Sequence, residues 1–286
     1  MKFNKILLLH GPILSNGINF LTADIYRTPQ ERKNVRVDYD AKENIRSLSI
    51  LFKKYGFIIV YSGWEEDEAW LKSNESIFDG YCISSQNSFK NESDFLGEKI
   101  QNNKEKFIAG CLSGINHSIN LFGLNNIVVR MRSDIAVDVR IINEEILKIV
   151  NLPKSFLIEY ADPKNIFFVP DFIFISYIDM QLQVYQHLYE MYKLNSNAYH
   201  LSHHIDLGAT FLKLKNEKNL EQLICMSQSL HESMIWRGIP RYYQKSYISN
   251  LESYYFNCLV NYPMNFTIED LIRKIPPELS GKIKIK

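Results

Sequence analysis

Arg130-Met131-Arg132-Ser133-Asp134 brings two guanidinium groups and a carboxylate together directly after the apolar run Ile127-Val128-Val129. Such a run reads as a buried strand, and side chains two apart on a strand share a face, so Arg130 and Arg132 point the same way. Paired arginines suit a diphosphate, because each planar fork binds two oxygens at once. A carboxylate at the tip of the strand, Asp134, can hold Mg²⁺ or Mn²⁺, which take oxygen ligands and bridge phosphate oxygens. Transfer of a group from a nucleotide donor asks for these features in one place, with a cleft for base and ribose and a base for the acceptor hydroxyl. The alternative is that the arginines close the strand end and pair with Asp134 or Asp138. Spacing favours neither, and the catalytic reading requires the three side chains to face an open crevice rather than one another.

Two other groups have types and spacing that bear on chemistry. Asp171 stands beside Phe172 and Phe174, an apolar setting that suits a carboxyl group to proton transfer. His200, His203 and His204, with Asp206 close by, have the spacing of one helical face and could ligate a metal, although such clusters are more often helix-end or loop residues.

The elements that must position these groups alternate between short apolar runs and amphipathic stretches, which predicts a mostly parallel sheet flanked by helices. Strands are expected at Ile6 to Leu9, Phe57 to Tyr61, Gly80 to Ile83 and Asn126 to Arg130, then at Ser155 to Tyr160 and Ile166 to Val169. Asp40-Ala-Lys-Glu43 has the spacing of a capping box, opening a helix that buries Ile45, Leu48, Leu51 and Phe52 and ends at Gly56. A second helix is predicted from about Leu96 to Phe122, broken near Gly110 or Gly114, and a third over Ile178 to Met191. Phe20 to Asp38 reads as an extended loop. The sequence divides into an α/β core over residues 1–175 and a mainly helical elaboration over residues 176–286, packed on the same domain. Ligands of open α/β sheets bind beyond the carboxyl ends of the strands, which is where Asp134 falls.

Composition narrows the function. A formal net charge of +1 leaves little to neutralise a polyphosphate backbone, so nucleic acid is not an expected partner. The four cysteines are widely spaced, with neither a C-x-x-C pair nor a disulfide framework, which fits a reducing, cytoplasmic setting. The apolar run at Lys5 to Leu9 is too short for a signal segment or a membrane span. Trp236 to Tyr255 interleaves Arg and Lys with aromatic rings, and the chain ends Lys282-Ile-Lys-Ile-Lys286. These segments suggest peripheral contact with the inner membrane, or else a solvated helix face.

In order along the chain stand His10-Gly11-Pro12, Asn44-Ile45-Arg46, Ser62-Gly63-Trp64-Glu65, Asp79, Asn103 with Lys106 and Gly114-Ile115, Arg130-Met-Arg132-Ser-Asp134, and Pro170-Asp171-Phe172. This succession resembles the motifs of the WavE lipopolysaccharide-synthesis family over roughly the first two-thirds of the chain. The resemblance implies a glycosyltransferase of the A-type fold, moving a sugar from a nucleotide-sugar donor to a carbohydrate acceptor, with or without a lipid carrier, in lipopolysaccharide, lipooligosaccharide or capsule. It also implies that His10, Gly11, Pro12, Arg46, Trp64, Glu65, Asp79, Lys106, Arg130 and Arg132 line the donor site. Within that set Gly11 and Pro12 would shape the turn under the base, Trp64 would stack on it, and Glu65 would bind ribose or uracil; the alternatives are an ordinary strand-ending turn, and a core Trp64 beside a solvated Glu65. Asp134 would be the ligand of a divalent cation, Glu232 the base, and Asp171 a residue closing the site. His10 stands where the family has Gln, Gly63 replaces Thr, Arg130 replaces Lys, and an Asp-Pro-Gly is missing near Ser85-Gln-Asn87; these departures bear on donor choice. Two other readings stay open: a metal-independent, sialyltransferase-like enzyme using a CMP-sugar and a histidine, and a catalytically silent carbohydrate-binding scaffold.

Overall fold

Leu7 and Leu9 alternate with Ile6 and Leu8, all fully buried, because their strand lies mid-sheet with helices on both faces. The computed structural model describes residues 3–18, 36–84, 92–95, 98–101, 104–159, 169–194, 203–237 and 239–240. In chain order these form β1 (Asn4–His10), β2 (Leu14–Ile18), β3 (Arg36–Asp40), α1 (Lys42–Lys54), β4 (Phe57–Trp64), α2 (Glu68–Ser73), β5 (Gly80–Ser84), β6 (Glu92–Phe95), β7 (Glu98–Gln101) and α3 (Lys104–Phe122). There follow β8 (Asn126–Arg132), β9 (Ile135–Ala136), α4 (Val139–Leu147), β10 (Ser155–Ile158), β11 (Ile173–Tyr177), α5 (Ile178–Leu194), α6 (His203–Asn216), β12 (Gln222–Cys225), α7 (Gln228–Ser233), β13 (Ile235–Trp236) and β14 (Ile239–Pro240).

Seven strands build the central sheet in the order β12-β10-β11-β8-β1-β4-β5. β5, β4, β1 and β8 run parallel, β11 is antiparallel to both β8 and β10, and β12 is parallel to β10. The chain therefore has the expected α/β architecture, a mostly parallel, Rossmann-type sheet flanked by helices. One face, carrying Leu7, Leu9, Val129 and Met131, packs on Ile45, Leu48 and Phe52 of α1 and on Val139, Ile142 and Ile146 of α4. The other, carrying Ile6, Leu8 and Val128, packs on Ile108, Cys111 and Ile115 of α3, on Val184 and Leu188 of α5, and on Phe211 of α6.

α3 lies unusually close to the sheet. A β-carbon added at Gly114 would stand 2.6 Å from Leu8 Cδ1, and one at Gly110 would stand 3.0 Å from Trp64 Cζ2. The Ser62 hydroxyl donates to the Gly110 carbonyl at 2.6 Å. These glycines let helix and strands approach, and the helix runs unbroken through both.

Several boundaries differ from expectation for identifiable reasons. α3 begins at Lys104 rather than near Leu96, because β6 and β7 pair as a hairpin ahead of it. Asp40 accepts from the Lys42 N–H at 3.0 Å, but Ala41 is the N-cap and makes no side-chain cap, so the capping box is not formed. Ser49 takes the buried place expected of Leu51, which is exposed. The strand expected at Ile166 to Val169 falls largely outside the described residues; β11 begins at Ile173. The described part of 176–286 is not helical throughout: β12 completes the central sheet beside β10, so the boundary after residue 175 cuts one continuous sheet. Among the described residues no helix is long and apolar enough to cross a membrane.

Candidate functional site

Between β1 and β8 the strand order reverses, and a crevice at the carboxyl ends of two such strands is where α/β sheets bind ligands. The residues ending these strands are register partners, His10 and Arg132. The turn after β1 is fastened to the turn after β8. The Ser133 N–H donates to the His10 carbonyl at 2.8 Å, the Ser133 hydroxyl to the Pro12 carbonyl at 3.0 Å, and the Tyr61 hydroxyl to the Gly11 carbonyl at 2.7 Å. Gly11 has φ of +113°, and a β-carbon there would also stand 3.2 Å from Ser133 Oγ. The glycine is thus needed for the turn and for its approach to protein. From α1, the Asn44 amide donates to the Ser133 and Ile135 carbonyls at 2.8 and 2.9 Å and fixes the second turn.

On this frame sits a charge network. Arg132 donates from Nε and Nη2 to the two oxygens of Asp134 at 3.0 and 2.9 Å, a bidentate pair, and from Nη1 to Asp171 at a longer 3.4 Å. β13 pairs with β9 and carries Trp236 and Arg237 to the same carboxylate. Trp236 Nε1 and Arg237 Nε donate to Asp134 Oδ2 at 3.1 and 2.8 Å, and the Arg237 N–H donates to the Asp134 carbonyl at 2.9 Å. Arg237 adopts φ of +50°, a left-handed conformation rare for a residue with a β-carbon. Its Nη1 is buried without a hydrogen-bond partner among the described residues, which costs about 1–3 kcal/mol. Among the described residues three guanidiniums and two carboxylates are gathered here, one positive charge in excess.

Arg130 lies deeper. Its Nη1 donates at 2.6 Å both to His10 Nε2 and to the Asp171 carbonyl. Its guanidinium stacks 4.2 Å from the Phe174 ring centroid and 5.5 Å from that of Phe107. A guanidinium only donates, so His10 Nε2 is the unprotonated nitrogen and the ring proton sits on Nδ1. Burial first, and then the charge of Arg130, hold the His10 pKa well below its ordinary value, so the ring is neutral near neutral pH. Burial alone would raise the Asp134 pKa, but Arg132 and Arg237 outweigh it and hold the carboxyl below its usual range. Burial opposes the charge on Arg132, yet Asp134 and Asp171 drive its pKa up.

The network corrects several expectations. Arg130, Arg132 and Asp134 face one another more than an open crevice: Arg130 and Asp134 are buried, and only the Arg132 side chain, 25% exposed, keeps a solvent-facing side. Arg130 cannot reach a diphosphate from its place between Phe107 and Phe174. Trp64 is buried against Gly110, with Lys106 Nζ 4.6 Å over its ring, so no face is left for a base. Lys106 pairs with Glu66 at 2.9 Å, beside the exposed Glu65. Asp79 precedes β5, at the amino edge, where it accepts from the Ile59 N–H at 2.7 Å and pairs with Lys53 at 3.3 Å. Arg46 turns away to Asn74, at 3.0 Å, and to the Trp70 ring. Glu232 is exposed on α7 and accepts from Gln228 at 2.8 Å. His10, Gly11, Pro12, Asp171, Arg132 and Asp134 do come together.

The expected divalent cation does not fit Asp134. Both of its oxygens already accept from guanidinium or indole N–H groups, and a metal there would face two fixed cations. Among the described residues no group of three His, Cys, Asp or Glu side chains could hold a metal. His200 lies outside them, and His203 and His204 open α6. Asp206, of the same cluster, is buried.

Three features were missed from sequence. Trp236 and Arg237, assigned to a membrane-facing stretch, turn inward to Asp134; the rest of that stretch beyond Pro240, and the basic tail, lie outside the described residues. Asp67 is buried and accepts from the Ile13 and Trp64 N–H groups at 3.2 and 3.1 Å, joining the ends of β1 and β4. His231, next to Glu232, pairs through Nδ1 with the buried Glu159 at 2.8 Å, just past β10. Only the acidic run Glu65-Glu66-Asp67 after a strand was a usable signal. The other contacts join residues 72 or more positions apart. In comparisons with known proteins, no protein-family model and no curated protein matches the chain.

Proposed function

We propose that the chain is a glycosyltransferase that takes a nucleotide-sugar at the carboxyl edge between β1 and β8 and moves its sugar to a hydroxyl of a surface glycan, of the lipopolysaccharide, lipooligosaccharide or capsule type. The observation that carries this reading is the coincidence of the strand-order reversal with a cluster of net positive charge: His10 and Arg132 end the two strands concerned, and Arg132 stays open on one side. Excess positive charge fixed in a low-dielectric edge stabilises a departing diphosphate without reorganising during the reaction. The succession of WavE-like motifs supports the same reading. A thermal-shift screen against UDP-, GDP-, CMP- and dTDP-sugars tests it, since a donor at about a hundred times its Kd stabilises the fold by about 2.7 kcal/mol. One donor should raise the melting temperature and be consumed with an acceptor glycan. A screen in which no donor moves the transition would sink the reading.

The closure of Arg130 on His10 and the Asp171 carbonyl, and of Asp134 on Arg132, Trp236 and Arg237, favours a second reading, a catalytically silent carbohydrate-binding scaffold in which the network is structural. Under that reading a folded Arg132→Lys chain would support normal surface glycan in cells. Under the enzymatic one, glycan is lost.

A further inference from the structure

Asp134 and Asp171 approach from different strands, as two acidic ligands of a divalent cation would, yet the group between them is the Arg132 guanidinium. The Asp134 contacts are short and bidentate, whereas those to Asp171 are long at 3.4 Å. Arg132 is thus anchored on one side and loosely held on the other, and its side chain is 25% exposed. Arg237 is anchored to the same residue twice, through Nε to the Asp134 carboxylate and through its own N–H to the Asp134 carbonyl. That double anchorage holds its backbone in the left-handed region and leaves Nη1 buried with no acceptor among the described residues. Backbone strain and an unsatisfied buried donor persist where the surroundings over-determine them, commonly where a ligand completes the arrangement.

Building on the glycosyltransferase reading, we propose that the diphosphate of the nucleotide donor is held directly by Arg132 and Arg237, with no divalent cation between ligand and protein. Asp134 serves as a positioning residue that aims both guanidiniums. Arg237 Nη1 supplies the donor a phosphate oxygen satisfies, and Arg132 Nη1 exchanges its long contact with Asp171 for a shorter one with phosphate. A planar guanidinium binds phosphate through parallel N–H groups, which a lysine in the same place cannot do. The excess positive charge of the network offsets part of the diphosphate's charge, the part a metal ion otherwise plays.

Titration calorimetry with UDP, GDP, CDP and dTDP, each in EDTA and again with Mn²⁺, tests this on the full chain and on its Arg237→Gln and Arg237→Lys variants, with circular dichroism as the control for folding. The expected result is one diphosphate that binds with the same Kd in EDTA and in Mn²⁺. Its affinity should fall by about ten-fold or more in Arg237→Gln, as for loss of a charge-assisted hydrogen bond, and by less in Arg237→Lys. Binding that needs Mn²⁺ would overturn the inference and leave the glycosyltransferase reading standing. So would binding in EDTA that Arg237→Gln and Arg237→Lys, both folded, leave unchanged. If no nucleoside diphosphate binds in either condition, the inference falls together with the reading it rests on.

Discussion

The two edges of the parallel sheet both carry charged side chains, and they treat them differently. At the amino edge Lys53 and Asp79 meet at 3.3 Å with both side chains more than a third exposed, and water screens them. At the carboxyl edge Asp134, Asp171, Arg130 and His10 are buried and linked through Arg132 into one network. Buried ion pairs repay their desolvation only when geometry is good and every partner stays in place. A fold selected for stability alone would fill such an edge with apolar side chains at least as well. The contrast therefore marks the carboxyl edge as the place where the molecule accepts a stability risk.

The sharpest way to break this comparison is Asp134→Ala, which leaves Arg132 and Arg237 without their shared carboxylate. It should lower the unfolding free energy by about 3–5 kcal/mol in urea titrations; a loss below about 1 kcal/mol would make the two edges equivalent. A smaller effect comes with acid. His10 is held neutral in the fold, so between its ordinary pKa near 6.5 and its lower folded value only the unfolded chain takes up the proton. Stability from this residue is whole above about pH 6.5 and declines as pH falls through that window, by at most about 1.4 kcal/mol per unit. Glutamine can still accept from Arg130 but does not titrate. His10→Gln should therefore flatten the decline when melting temperatures are compared over that range, and an unchanged slope would show that other groups cause it. The Asp134 carboxyl, held low, adds a separate loss only in stronger acid. At the amino edge, Asp79→Ala should cost less than Asp134→Ala, about 1–3 kcal/mol through the Ile59 N–H that it satisfies. The ion pair with Lys53 should add less than about 1 kcal/mol, as a double-mutant cycle with Lys53→Met would measure.

Much of this arrangement is legible in the sequence, and what is not has a physical cause. The apolar runs at Ile6 to Leu9 and Phe57 to Tyr61 could only be buried strands, and Gly56, with φ of +76°, ends α1 where expected. That Asp134 falls at a strand tip was also readable, from the run before it. Which way the charges turn was not. Alternation puts Arg130 and Arg132 on one face, but the two rings that enclose Arg130 come from α3 and β11, and the second arginine on Asp134 comes from residue 237. Between a stacking and a core Trp64 the sequence does not choose, because the closeness of α3 depends on Gly110, 46 residues on, and a glycine in a helix gives no hint of what it admits. Asp171 precedes β11. Because β11 runs antiparallel to its neighbours, it reaches the carboxyl edge all the same.

The pairing of Leu8 with Arg130 and of His10 with Arg132 has a consequence for how the chain finds its fold. Sliding β8 by one position along β1 would leave every backbone ladder bond available, yet would turn both guanidiniums into the layer built by α1 and α4, where neither His10 nor Asp171 waits to receive them. A misthreaded sheet of that kind would carry two stranded cations in oil. The buried Arg130 thus penalises a misalignment of the strands that apolar side chains alone would tolerate.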